Sequence, residues 1–109
     1  DIKKMRKAAS FFLGTHDFST FRSSSCVAKS PVRTISKAII KKRADKIHIT
    51  FESRSFLQTQ VRSMVGCLKY VGESKWSADK IKKILKSRIR KDCAPPAPAK
   101  GLFLKKISY

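Results

Sequence analysis

Acidic residues are scarce: Asp and Glu number 7 against 26 Lys and Arg in 109 residues, a formal net charge of +19. A surface of one sign to this degree is poorly suited to cations and well suited to a polyanion, because each phosphate neutralised by Lys or Arg releases condensed counterions. Long apolar runs are missing as well. Nothing approaches the roughly 20 residues a bilayer span needs, and the N-terminus lacks the apolar core of a signal peptide, so the expected setting is cytoplasmic with no membrane partner. The three cysteines, Cys26, Cys67 and Cys93, are odd in number and far apart, which suggests neither a disulfide framework nor a Cys-x-x-Cys metal site; they read as ordinary thiols. His16 and His48 stand far apart in sequence, and no metal is expected. Four glycines and no Gly-rich phosphate loop, carboxylate cluster or nucleophilic Ser motif leave little from which to build a self-contained catalytic centre.

What is present is enough for a core. A 41% hydrophobic content with seven Phe supports one folded domain over residues 1–109 rather than a disordered basic tail. Ile2, Met5, Ala9, Phe12 and Leu13 recur at helical spacing, and Gly14 follows as a stop. A chain that begins with Asp one residue before such a helix reads as an excerpt of something longer. Residues 15–31 carry a Ser run and Ser30-Pro31, loop chemistry with aromatic anchors. The stretch 46–52 alternates Ile47, Ile49 and Phe51 with His48, Thr50 and Glu52. It pairs with a less regular stretch over 33–42 through a turn at Ala44-Asp45. Leu57, Val61, Met64, Val65, Leu68 and Val71 define the strongest helix, ended by Gly72. Ser77 is positioned as an N-cap, with Asp79 in the first turn and Ile81, Ile84 and Leu85 as the buried stripe of a third helix. A proline-rich stretch at 94–98 leads to a final strand over 102–109. The order predicts an α+β fold, an antiparallel sheet of hairpin plus C-terminal strand packed with about three helices.

Few side chains point to chemistry on their own. Arg62 follows the apolar Val61 and stands beside Met64 and Val65, so its stem runs along apolar surface. Whether its head snorkels into water or meets an anion is open from periodicity alone. His16-Asp17 suits a local cap and turn better than an acid/base pair, since adjacency fixes no geometry. Most of the aromatics read as core rather than as base-stacking platforms. Physics alone reaches a basic α+β domain that binds nucleic acid.

Four segments in register carry more. Phe12-Leu13-Gly14-Thr15-His16-Asp17-Phe18 with Phe21-Arg22, then Lys29-Ser30-Pro31-Val32-Arg33-Thr34-Ile35, then Phe56-Leu57, Gln60-Val61-Arg62 and Met64-Val65-Gly66, and finally Ala97-Pro98-Ala99-Lys100-Gly101-Leu102-Phe103-Leu104 closely resemble the C-terminal half of the tRNA pseudouridine synthase A (TruA) family. The resemblance implies an isomerase that converts uridine to pseudouridine at positions 38 to 40 of the tRNA anticodon stem-loop, without cofactor or metal and as a homodimer. It also implies that the catalytic Asp lies in a Gly-Arg-Thr-Asp motif of an N-terminal half. No Asp of this chain, whether Asp1, Asp17, Asp45, Asp79 or Asp92, stands in that context, so this chain alone is expected to be inactive and to need that N-terminal catalytic half as a partner. Carried over residue by residue, Arg62 matches the Arg that pairs with the catalytic Asp, and Leu102 the apolar wall of the uracil pocket. His16, Arg22, Lys29 and Arg33 match a region expected to face RNA. The alternative reading is a non-catalytic basic RNA-binding module.

Overall fold

The computed structural model describes residues 2–22, 30–57 and 59–98. Its elements run α1 (Ile2–Ser10), β1 (Gly14–Asp17), β2 (Val32–Ile35), β3 (Lys37–Arg43), β4 (Lys46–Glu52), α2 (Gln60–Gly72) and α3 (Ala78–Ser87), with 3-10 turns at Ser19–Phe21 and Arg90–Asp92. The fold is α+β: α1 packs against α2, α3 and β3, and the strands form two antiparallel pairs, β1 with β2 and β3 with β4. The expected strand over 102–109 lies outside the described residues.

Helix α1 buries Met5, Ala8 and Ala9 but ends at Ser10, three residues short of Leu13, the last of the expected helical stripe. Beyond it the amides of Phe11, Phe12 and Leu13 bond carbonyls three residues back, at Ala8, Ala9 and Ser10. This tightening turns Phe12 fully inward and leaves Leu13 41% exposed. Gly14, at φ +93°, therefore opens β1 instead of capping the helix. Inside, the Phe12 ring meets those of Phe21 at 5.2 Å, Phe51 at 6.0 Å and Phe18 at 6.5 Å between centroids. Phe12→Ala should cost about 3–5 kcal/mol, because the cavity it leaves is walled by rings that cannot collapse independently; a urea melt measures it.

Residues 15–17, expected in a loop, join Gly14 in β1, in register from Gly14↔Ile35 to Asp17↔Val32. Gly-Thr-His-Asp has no apolar alternation, and the strand exists through its partner. The stretch read as one strand over 33–42 is divided at Ser36 between β2 and β3, which pair with different strands. The hairpin at Ala44-Asp45 is as expected: β3 and β4 pair from Lys37↔Glu52 to Arg43↔Lys46, with Ala44 in the left-handed region at φ 54°. One face turns Ala38, Ile40, Ile49 and Phe51 to the core. Ile47, on the same face nearer the tip, is 47% exposed, because the hairpin projects past the core.

Helix α2 is buried along Gln60, Ser63, Met64, Cys67, Leu68 and Val71. That stripe is rotated from the purely apolar one, so Val61 and Val65 are only half-buried. Helix α3 buries Ala78, Ile81, Ile84 and Leu85. Ser77 stands at its N-cap, yet its hydroxyl makes no capping bond. No helix among the described residues is long and apolar enough to cross a membrane.

Candidate functional site

Arg62 sits in the first turn of α2, half-buried, and is fastened at two points to one residue of the proline-rich segment. Its Nε donates to the Ala97 carbonyl at 2.8 Å, and its own carbonyl accepts from the Ala97 amide at 2.9 Å. The guanidinium is thereby held by a part-buried backbone contact. The ion pairs among the described residues, Lys7–Asp79, Lys37–Glu52, Lys75–Glu73 and Arg88–Asp17, do not include it. A guanidinium so held presents its terminal nitrogens as a preorganised fork for an anion.

The surroundings are built to keep it there. Gly66, one turn further along α2, lies under the same segment, and a Cβ at this position would stand 2.1 Å from the Pro95 carbonyl oxygen. The helix starts at Thr59 in the left-handed region, φ 63°, an uncommon conformation for a β-branched residue. The Thr59 hydroxyl is buried without a hydrogen-bond partner among the described residues. Gln60, fully buried, accepts the Leu57 amide at 2.8 Å, which closes the entry to the helix. The left-handed backbone at Thr59, three residues before the fixed guanidinium, is a local strain in the fold.

The structure brings together three of the residues expected to face RNA. His16 and Arg33 are direct cross-strand partners, and Arg22, just after the first 3-10 turn, is close enough to Asp17 to stabilise its charge. Lys29 and Leu102 lie outside the described residues. The His16 Nε2 bonds the Leu13 carbonyl at 2.6 Å, an acceptor, so the proton is on Nε2 and Nδ1 is left as the ring's other polar atom. Arg33 donates Nη1 to the carbonyls of Ser30 and Val32, while its Nε is buried with no partner among the described residues. These bonds hold both side chains to their own backbone, leaving the ribbon a surface for contact rather than a catalytic pair.

Asp17 accepts from the Ser19 amide at 2.9 Å and hydroxyl at 2.6 Å, the local turn that adjacency suggested. Partial burial pushes its carboxyl up, but the two Ser19 bonds, with Arg88 and Arg22, outweigh this and hold it below the usual carboxylate range. A depressed folded-state value stabilises the fold above the ordinary carboxylate pKa and loses that contribution as pH falls through the folded one. Asp17→Asn should therefore be less stable than the parent at pH 7, with the difference closing in the acid range; chemical melts across pH measure it.

Sequence reasoning missed three features. Ala97 as the anchor of Arg62 carries no side-chain signal. Gly66 gives one, a glycine inside a strong helix with a proline-rich stretch downstream. Arg90 reaches across to the Thr20 carbonyl at 3.2 Å and the Ser63 hydroxyl at 2.9 Å, tying the second 3-10 turn to α2. Among the described residues no group of three or more His, Cys, Asp or Glu could hold a metal ion.

A basic α+β scaffold with a strained helix start and a fixed guanidinium is the kind of surface that meets a polyanion. A family model described as tRNA pseudouridine synthase matches residues 8–109, and the chain belongs to that family. Over all 109 residues it is 56% identical to the tRNA pseudouridine synthase A of Pelagibacter ubique (strain HTCC1062). It is 46% identical to that of Caulobacter vibrioides (strain NA1000 / CB15N) and 48% to that of Xanthobacter autotrophicus (strain ATCC BAA-1158 / Py2). In each case the whole of this chain is covered, and 44% of the relative's length.

Proposed function

We propose that this chain is one domain, the C-terminal half of a tRNA pseudouridine synthase that isomerises uridine at positions 38 to 40 of the anticodon stem-loop. In this reading it acts in the cytoplasm as part of a homodimer, and uses neither cofactor nor metal. The Asp that does the covalent chemistry comes from the other half of the enzyme. The observation that carries the reading is the double fastening of Arg62 to Ala97. A guanidinium fixed in this way holds an incoming carboxylate by charge-assisted bonds and keeps it ionised, as a nucleophile or base requires. Leu102 lines the uracil pocket and excludes water. His16, Arg22, Lys29 and Arg33 contact the RNA, with phosphate contact favoured over base readout. The target base leaves its stack to reach the Asp. The test is complementation: this chain mixed with an Asp-bearing N-terminal half should form pseudouridine in an anticodon stem-loop, and neither part should do so alone. A well-folded mixture that makes no product overturns the reading.

The charge of +19 and the exposed basic hairpin also favour a second reading, a non-catalytic module that holds structured RNA. Both readings predict a steep loss of RNA affinity with salt, about 0.9 in log–log slope per duplex phosphate neutralised, and a filter-binding series at rising salt measures it. Only the first predicts product.

A further inference from the structure

We propose that Cys93 is a peroxide-reactive thiol resolved by Cys67, so that oxidation closes a disulfide between α2 and the segment that fastens Arg62. The two sulfurs lie 3.5 Å apart, although 26 residues separate them in the chain. Cys67 is fully buried on α2, whereas Cys93 is only half-buried. Cys93 lines a cavity of about 760 Å³ together with Tyr70, Trp76, Lys83 and Lys91. Cys93 is therefore the member of the pair that borders open space.

The chemistry around Cys93 suits the attacking role. The Cys67 thiol shares a hydrogen bond with the Cys93 sulfur, and this, with the nearby Arg90 guanidinium and Ser63, draws Cys93 towards the thiolate against the cost of burial. The same bond and its burial push Cys67 up, which keeps it a thiol until it is needed. The thiolate of Cys93 attacks one oxygen of hydrogen peroxide and breaks the O–O bond, giving Cys93 sulfenic acid and hydroxide. Cys67 then attacks the sulfenic sulfur; the S–S bond forms, the S–O bond breaks, and the thiol proton leaves with the hydroxyl as water. Peroxide is the oxidant and the two thiols are the reductant. The sulfurs must close from 3.5 Å to the roughly 2.05 Å of an S–S bond.

The consequence falls on Arg62. Residues 94–98 follow Cys93 directly, rest on Gly66 through Pro95 and end in the Ala97 bonds to Arg62. A covalent tie at Cys93 removes the local opening that would release this segment.

The experiment uses the 109-residue chain with Cys26→Ser, which removes the third thiol. On stoichiometric hydrogen peroxide the intact mass should fall by two hydrogens, peptide mapping should find Cys67 joined to Cys93, and dithiothreitol should reverse both. Exchange of the Ala97 amide should slow about tenfold in the oxidised form. With Cys67→Ser, or Cys67→Ala as the second variant, dimedone should trap Cys93 as the sulfenic acid. With Cys93→Ser, Cys67 should stay reduced. Both thiols remaining reduced in the parent, preferential oxidation of Cys67, or a disulfide that leaves Ala97 exchange unchanged would each overturn the proposal.

Discussion

Arg62→Ala is expected to lower pseudouridine formation by the complemented enzyme about 10²- to 10³-fold, the loss typical of removing one preorganised donor from an active site. The fold should lose only about 1.5–3 kcal/mol, because one bond from the charged guanidinium, Nε to the Ala97 carbonyl at 2.8 Å, goes with the side chain while the backbone bond from the Ala97 amide remains. That disproportion separates the active-site role from a structural one. Arg62→Lys sharpens it: the charge stays, but an ammonium cannot bond Ala97 through Nε and offer a fork to a carboxylate at the same time. Its activity should fall nearly as far as that of alanine. Single-turnover assays on the assembled halves, beside thermal melts of the same proteins, measure both quantities, and full activity in Arg62→Ala would contradict the proposed role.

Gly66→Ala is expected to destabilise the fold, although it adds a single methyl. In a helix interior, alanine normally gains about 0.5–1 kcal/mol over glycine. Here the new Cβ would stand 2.1 Å from the Pro95 oxygen and 3.1 Å from its carbonyl carbon, backbone atoms in a proline-rich stretch with little room to shift. Overpacking at that separation outweighs the gain and leaves a net loss of about 2 kcal/mol. The alternative for the chain is to lift residues 95–97 from α2, which breaks both Ala97 bonds and frees Arg62. Gly72→Ala is the control on the same helix: its Cβ would approach the Met5 sulfur at 2.6 Å, the flexible end of a side chain, so the cost should be smaller. Denaturant melts of the two variants, with exchange of the Ala97 amide, distinguish the cases.

How much could be read beforehand depended on whether a residue's partner was near in sequence. The stripe from Leu57 to Val71 and the two-residue turn at Ala44-Asp45 were legible, because period and turn chemistry are local properties. The start of β1 at Gly14 was not, since its four residues owe their extended form to Val32–Ile35 across the pair. The early end of α1 followed from the demand of Phe12 for the rings of Phe18, Phe21 and Phe51, a contact among distant segments. Arg62 itself was found from its place in a motif. That it is held through the backbone of Ala97 was invisible, because a carbonyl has no letter in the sequence. The approach of Cys67 to Cys93 was hidden for the same reason of distance, and three scattered thiols looked inert.

The hairpin of β3 and β4 has a further bearing on how the molecule behaves in a crowded solution. A ribbon of two strands has an edge on either side, and a bare edge can accept a strand from a neighbouring copy; part of the β3 edge is taken up by α1, whose Arg6 donates Nε to the Ile40 carbonyl at 3.1 Å. Lys37, Lys41, Arg43 and Lys46 stud these margins, so two ribbons brought side by side repel before their backbones can zip together. Phosphates that neutralise these side chains weaken the repulsion, so side-by-side pairing of ribbons is expected near charge balance with a polyanion and not in excess of it, where bound phosphate restores a repulsion of the opposite sign.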